Sequence, residues 1–230
     1  PGNGAAELIK ALMQMLPGKL GIVRPTFEEY PNRRDNDTLV TFQPANSTYR
    51  YSADELMDFF SVNKADTLLI INPDNPSGNF IQRSDLLRLA SWTREQGMRL
   101  VIDESFVDFS EHWETSSLLD NSLLEQNPNL IVIKSISKSY GVPGLRLGIL
   151  ASSDEELIKN IKVEVPIWNI NSFAEYFMQI YSKHEADYKI ACARFVEERK
   201  KFYSELQTIS YLRVMPSEAN FFLCEVLKPF

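Results

Sequence analysis

Two kinds of apolar pattern alternate along the chain. Short continuous apolar runs bounded by turn residues predict buried strands, and apolar residues repeated every three or four positions predict helices. Strands are predicted at Leu20 to Val23, Thr38 to Phe42, Thr67 to Ile71, Arg99 to Ile102, Leu130 to Lys134, Leu147 to Ala151 and Asn220 to Val226. Helices are predicted at Ala5 to Leu16, Ser52 to Val62, Ser84 to Gly97, Ser172 to Ser182 and Asp187 to Gln207. This alternation predicts a three-layer α/β/α sandwich with a mainly parallel sheet.

Polar side chains follow three of the predicted strands. Asn72, Asp103 and Ser135 each stand at or just beyond the carboxyl end of an apolar run. Open α/β sheets bind their ligands at this edge, so one cleft is expected to collect all three.

Composition narrows the class of protein. The 230 residues are 44% hydrophobic, enough for one substantial core, and the net charge of -7 gives no electrostatic footprint for nucleic acid or an anionic membrane. No apolar run approaches a membrane span and no secretory signal opens the chain, so a cytoplasmic protein is expected. The two cysteines, Cys192 and Cys224, have no metal-ligand spacing and are expected to be reduced and buried.

The segment from Ser135 to Gly148, SISKSYGVPGLRLG, carries the most specific chemistry. It places Lys138 eight residues before Arg146 in a glycine-rich turn after a strand. A partly desolvated lysine can attack an aldehyde, and the planar fork of an arginine suits a phosphate. The alternative is a lysine and an arginine in a solvated loop.

These residues resemble the cofactor-lysine motif of the class I and II aminotransferase family, whose members use pyridoxal phosphate. Three further motifs follow the family's order: GNGAAE from Gly2, NPDNPSG from Asn72 and VIDESF from Val101. The resemblance spans nearly the whole chain, near the histidinol-phosphate aminotransferase and threonine-phosphate decarboxylase branches. It implies a large cofactor domain over residues 1–185, then a bridging helix and the beginning of a small domain over 186–230, with the chain being a piece of a longer protein.

The resemblance also assigns roles to residues. Lys138 would form the Schiff base with pyridoxal phosphate and then move the Cα proton, and Asp103 would keep the pyridine nitrogen protonated. Asn75 would donate to the ring's O3′, and Phe27 would stack on the ring. Without the resemblance, each of these residues has a structural alternative. Asp103 could equally cap a helix, Asn75 could be a turn residue, and Phe27 could belong to the core.

The phosphate ligands implied by the family come from two parts of the chain. They are the Arg146 guanidinium, the hydroxyls of Ser135 and Ser137, and the backbone N–H groups of Ala5 and Ala6 at a helix start. Asn171 resembles a substrate-side position of the decarboxylase branch.

One departure from the family leaves the reaction open. Phe106 stands where the family usually has a tyrosine whose hydroxyl donates to O3′, although another hydroxyl, such as that of Tyr30, is an alternative donor. The first expectation is an aminotransferase acting on a small, possibly phosphorylated, amino acid or keto acid, as a homodimer. The second is a threonine-phosphate decarboxylase, and more remote alternatives are a non-catalytic regulatory domain and a dinucleotide-binding domain.

Overall fold

The computed structural model describes residues 1–227 and contains one large mixed sheet. Seven strands follow the spatial order β1-β7-β6-β5-β4-β2-β3, and a separate hairpin joins β8 to β9. The strands are β1 Gly2–Asn3, β2 Leu20–Val23, β3 Leu39–Phe42, β4 Thr67–Ile71, β5 Arg99–Asp103, β6 Leu130–Ser135, β7 Leu147–Ala151, β8 Leu212–Val214 and β9 Cys224–Val226.

Helices cover both faces of this sheet. They are α1 Ala5–Met15, α2 Ala53–Val62, α3 Arg83–Glu95, α4 Trp113–Ser116, α5 Asn121–Gln126, α6 Ile136–Ser139, α7 Glu155–Glu164, α8 Ser172–Ile180 and α9 Glu185–Leu206. Strands β2 to β6 pair in parallel, whereas β7 is antiparallel to both β6 and β1. The predicted three-layer sandwich with a mainly parallel sheet is confirmed.

The central strands are continuous apolar runs because both of their faces are buried. In β4, Leu68 and Ile70 belong to the core under α2 and α3, while Leu69 and Ile71 belong to the core under α1 and α7. A parallel strand covered on both faces has no polar face to expose, which explains why these strands were predictable as uninterrupted runs.

The register aligns the carboxyl ends of the central strands. Ile71 of β4 pairs with Asp103 of β5, and Asp103 pairs with Ile133 of β6. The residues that follow these three strands therefore begin at one edge of the sheet. Of the three polar residues expected in one cleft, Asn72 departs from the prediction, because its side chain exchanges two hydrogen bonds with the Ile81 backbone.

Local signals fixed several element boundaries. Ser52 and Glu55 form the predicted capping box at the start of α2. Gly97 follows α3 with a φ of 70°, the left-handed conformation expected of a glycine that closes a helix.

Other parts of the sequence prediction were wrong or incomplete. The pattern missed α5 and α7, and of the predicted strand from Asn220 only Cys224–Val226 is a strand. The buried face of α9 consists of Cys192, Val196 and Arg199, whereas Phe202 is 53% exposed. Arg199 is buried because it donates to the Phe109 carbonyl and pairs with Glu218 at 2.8 Å.

The predicted C-terminal unit, 186–230, lies mostly within the described residues. Its last three residues lie outside the described residues, and the remainder holds most of α9 and the β8–β9 hairpin. Cys192 is a buried free thiol, as expected, but Cys224 is only half-buried.

Within residues 1–227 no helix is both long and apolar enough to cross a membrane.

Candidate active site

A cavity of about 230 Å³ lies at the carboxyl edge of the central strands. Seven of the nine site residues predicted from the sequence line it, together with Ser105 and Ile9. The seven are Ala5, Ala6, Phe27, Asp103, Ser135, Lys138 and Arg146.

Lys138 reaches this cavity from α6, the short helix that directly follows β6. Its amine nitrogen lies 5.1 Å from the centre of the Phe27 ring and 4.4 Å from the centre of the Phe106 ring. Desolvation lowers the pKa of Lys138, and the negative charge of Asp103 opposes this effect. A larger neutral fraction makes the amine a better nucleophile.

Asp103 ends β5 and is 4% exposed, so both of its carboxylate oxygens need hydrogen-bond donors. The Tyr30 hydroxyl donates to Oδ2 at 2.7 Å, and the Ser105 backbone N–H donates to Oδ1 at 2.9 Å. Burial and the neighbouring carboxylate raise the pKa of Tyr30 well above its usual value, so Tyr30 remains a neutral donor. The carboxylate is held in place and still has lone pairs that can accept a hydrogen bond from a ligand.

The opposite end of the cavity is suited to an anion. Helix α1 begins after Gly4, whose φ of 81° favours glycine and which offers no side-chain cap to the free N–H groups of Ala5 and Ala6. The Arg146 guanidinium packs on Gly4, where an added Cβ would lie 2.6 Å from Nη2. Within residues 1–227 no carboxylate pairs with Arg146, and the Ser135 hydroxyl has no hydrogen-bond partner. A helix start, a guanidinium and a hydroxyl thus converge.

Strand β7 brings Arg146 to this position. Gly148 passes so close to the backbone of Gly4 and Ala5 that any side chain at Gly148 would collide with them. Residues 146 and 148 are therefore fixed against the start of α1.

Three polar residues singled out in the sequence do not line the cavity. The Ser137 hydroxyl accepts a hydrogen bond from the Leu147 N–H at 2.8 Å and donates one to the Leu147 carbonyl at 3.3 Å. The Asn171 side chain caps α8 by accepting from the Ala174 N–H at 2.9 Å, and it donates to the Leu145 carbonyl at 2.8 Å. Asn75 is half-buried in the loop after β4.

Two neighbours of the cavity were absent from the predicted site. Ser105 supports both Asp103 and the end of β6, because its hydroxyl accepts from the Ser135 N–H at 2.9 Å. Its position directly after the Asp103 strand was the available signal. Tyr30 was considered only as an O3′ donor, and its hydroxyl donates to Asp103 instead. Its spacing of three residues from Phe27 places both rings in one turn, 6.4 Å apart.

The chain belongs to the class I and II aminotransferase family, because the family model described as "Aminotransferase class I and II" matches residues 1–230. Pyridoxal phosphate, the expected cofactor, is the cofactor of this family, so the predicted family and its cofactor are confirmed.

Three curated relatives resemble the chain over nearly its whole length. A CMP-5'-(3-aminopropyl)phosphonate synthase from Streptomyces rubellomurinus is 33% identical over 97% of this chain and 35% of its own length. An L-serine phosphate decarboxylase from Campylobacter jejuni is 31% identical over 98% of this chain and 59% of its own. A threonine-phosphate decarboxylase from Salmonella typhimurium is 30% identical over 97% of this chain and 62% of its own length. The chain thus spans less than two thirds of each of these relatives.

Solved structures share the fold. A decarboxylase from Sulfurospirillum multivorans superposes with a TM-score of 0.85 at 31% identity, over 98% of this chain and 65% of its own. A histidinol-phosphate aminotransferase from Clostridium acetobutylicum has a TM-score of 0.83 at 26% identity, over 98% of this chain and 66% of its own. The chain is therefore similar both to proteins named decarboxylases and to a protein named an aminotransferase.

The loop that carries Asn75 contains a buried acid with a measurable consequence. Asp74 is 2% exposed and accepts hydrogen bonds from the Ser77 hydroxyl and N–H. Burial raises the pKa of Asp74 from 3.8 to about 6. The folded protein therefore keeps a proton between about pH 4 and pH 6 that the unfolded chain loses, and its stability falls as the pH rises through this range.

We predict that Asp74→Asn removes this part of the pH dependence, which amounts to about 3 kcal/mol. The amide stays neutral at every pH and still offers Ser77 an acceptor. Urea unfolding of the two proteins between pH 4 and pH 7 measures the difference. Asp58→Asn, at an exposed position on α2, is the matched control and should keep the wild-type decline. An Asp74→Asn profile parallel to that of the wild type would contradict the prediction.

Proposed function

We propose that the cavity binds pyridoxal phosphate and that the whole protein decarboxylates a small phosphorylated amino acid. The observation that supports this most directly is the arrangement of complementary groups in one cavity: an anion site at Arg146, an acceptor at Asp103 and a desolvated amine at Lys138. These groups match the phosphate, the protonated ring nitrogen and the aldehyde of the cofactor. When bound, pyridoxal phosphate supplies an electron sink for the bond that breaks at the substrate α-carbon.

Each residue then has a separate task. Arg146, Ser135 and the N–H groups of Ala5 and Ala6 bind the phosphate. Asp103, held by Tyr30 and Ser105, keeps a proton on the ring nitrogen. Phe27 covers one face of the ring.

Lys138 has two tasks in this proposal. Its amine would hold the aldehyde of the cofactor, and as a free amine it would move a proton at the substrate α-carbon. Its amine lies beside the Phe27 and Phe106 rings, which shield it from part of the solvent.

Two residues remain less closely tied to the cofactor. We retain Asn75 as the O3′ donor, because its loop is anchored at the same sheet edge by Asn72, which exchanges two hydrogen bonds with the Ile81 backbone. Ser137 would act indirectly, since its hydroxyl fixes Leu147 beside Arg146.

Transamination, the first expectation from the sequence, is the second candidate. Two of the three relatives described above are named phosphate decarboxylases, and Phe106 removes the hydroxyl that most aminotransferases place there. The similarity to a histidinol-phosphate aminotransferase keeps transamination in consideration. Because the bond held perpendicular to the ring is the one that weakens, both reactions can use the same residues.

The covalent step predicts a loss of absorbance. Lys138→Ala in the full-length protein should abolish the yellow Schiff base and the adduct trapped by borohydride, because within residues 1–227 Lys138 is the only lysine that lines the cavity. Lys159→Ala, at an exposed site on α7, is the matched control and should retain both. An alanine variant that keeps the trapped adduct would overturn the assignment.

The reaction type is tested by following both products of the full-length protein with O-phosphoserine and O-phosphothreonine. We expect carbon dioxide release without a keto acid acceptor. Keto acid formation that depends on added 2-oxoglutarate, without carbon dioxide release, would establish transamination instead. Lys138→Ala is the inactive control in both assays.

We also propose that the protein is a homodimer. Large apolar side chains are exposed from the last turn of α7 to the first turn of α8, and patches of this kind mark interaction surfaces. Four of them are Val163 at 77% exposed, Ile167 at 86%, Trp168 at 94% and Phe173 at 78%. The segment lies beside the phosphate end of the cavity, because Asn171 contacts the Leu145 carbonyl next to Arg146. A cytoplasmic location is proposed with it, since both cysteines are free thiols.

Disruption of this surface should change the assembly. We expect the wild-type protein to sediment as a dimer and Trp168→Glu to sediment as a monomer at the same concentration, because a buried charge destabilises an apolar interface. Val62→Glu is the control, since Val62 is 81% exposed at the end of α2, away from this surface. A monomeric wild type with full activity would refute the dimer.

A further inference from the structure

A buried ion pair lies directly behind the cavity. Lys134, at the end of β6, places its amine nitrogen 2.8 Å from both carboxylate oxygens of Asp108. Their side chains are only 7% and 9% exposed. Burying two charges costs free energy that their attraction only partly offsets, so stability alone is a weak reason for such a pair.

Lys134 does not face the cofactor cavity. Side chains alternate along β6: Val132 belongs to the core under α2 and α3, and Ile133 belongs to the core under α1. Lys134 follows the Val132 face, whereas Ser135 follows the Ile133 face and lines the cavity. Any influence of Lys134 on the chemistry is therefore indirect.

The charge of Lys134 lies near a second buried carboxylate. Glu104 accepts from the Ser117 hydroxyl at 2.5 Å and from the Leu118 N–H at 2.8 Å. Burial raises the pKa of Glu104, and Lys134 acts in the opposite direction. Glu104 and Asp108 stand two residues before and two residues after Phe106, so Lys134 attracts both flanks of the turn that carries Phe106.

Phe106 connects this pair to the cavity. Its ring is 6% exposed, packs edge-on against Phe221 at 5.1 Å and lies 4.4 Å from the Lys138 amine. The chain from Glu104 to Asp108 is thus held on one side by Lys134 and presents Phe106 to Lys138 on the other.

We propose that Lys134 and Asp108 are positioning residues for Lys138: their ion pair fixes the turn that holds the Phe106 ring over the cofactor lysine. This rests on the proposed function, in which Lys138 carries pyridoxal phosphate. Neither residue touches the cofactor.

The consequence for Lys138 is a change in solvation. Burial lowers the pKa of Lys138 below 10.5, and Asp103, at the end of β5, is the charged group that faces the amine. Lys138 is only partly desolvated, so if the ring moves away, more water reaches the amine while Asp103 stays in place. The pKa of Lys138 then rises and the neutral, reactive fraction falls.

The test measures the pH dependence of cofactor attachment in the full-length protein freed of bound cofactor. Pyridoxal phosphate is added, the adduct is trapped with borohydride, and its position is mapped by mass spectrometry. The pair variant is Lys134→Met with Asp108→Leu, which leaves no unpaired buried charge. Phe106→Leu and the triple variant show whether the effect acts through the ring. Lys200→Met with Glu111→Leu removes an exposed ion pair as the matched control.

We expect the pair variant to raise the apparent pKa of Lys138 by about half a unit or more, that is, to lower the neutral fraction about threefold at neutral pH. Phe106→Leu should raise the pKa too, the triple variant should show no further rise, and the control should match the wild type. A folded pair variant with the wild-type pKa would overturn the inference, as would a pair effect that persists in full in the Phe106→Leu background.

Two further arms keep the test decisive. If the pair variant does not fold, Asp108→Asn replaces it, because the amide keeps the side-chain shape. Asp108→Asn should shift the pKa of Lys138 in the same direction. An unchanged pKa in this variant contradicts the inference. If the wild-type adduct maps to a residue other than Lys138, the proposed function fails instead. An adduct on Lys138 with a pKa that is unchanged in the pair variant leaves the function standing and rejects only the positioning role.

Discussion

The shared edge formed by the carboxyl ends of β4, β5 and β6 is the constraint on which the rest of the site depends. These strands are buried on both faces, so polar side chains can appear only where the strands stop. The register places Asp103 level with Ile71 and Ile133, and Asp103, Ser105 and Ser135 meet in one cavity. Asn72, after β4, bonds to the Ile81 backbone instead. The buried Asp103 carboxylate receives two hydrogen bonds, from the Tyr30 hydroxyl and the Ser105 N–H.

Close backbone packing supplies the second half of the site. Strand β7 runs antiparallel to β6 and crosses the start of α1, where Gly4 and Gly148 leave no room for side chains. This crossing brings Arg146, from the turn after α6, to the free N–H groups of a helix that is distant in sequence. The contacts that close the sheet on α1 therefore also assemble the proposed phosphate end of the cavity.

The sequence predicted the fold well where the pattern was simple. Continuous apolar runs identified the central strands, and the capping box at Ser52 identified the start of α2. The missed helices carry weaker signals: α5 has only six residues, and α7 is rich in charged residues. The buried face of α9 includes Arg199, which an apolar pattern does not reveal, because Glu218 and the Phe109 carbonyl satisfy its guanidinium in the interior.

Motif order predicted which residues would meet, but not how each side chain would be used. Lys138, Asp103 and Arg146 share one cavity, whereas the Ser137 hydroxyl bonds to the Leu147 backbone and Asn171 caps α8. These orientations depend on χ angles and on partners more than two residues away, which a motif does not encode. Tyr30 shows the same limit, since its contact with Asp103 spans 73 positions.

A crystal structure of the full-length protein grown with pyridoxal phosphate tests the central claim most directly. The account predicts the aldehyde carbon bonded to the Lys138 amine, the ring nitrogen within hydrogen-bond distance of Asp103 and the phosphate at Arg146, Ser135 and the start of α1. A cofactor bound elsewhere, or one whose phosphate lies away from Arg146 and α1, would contradict it.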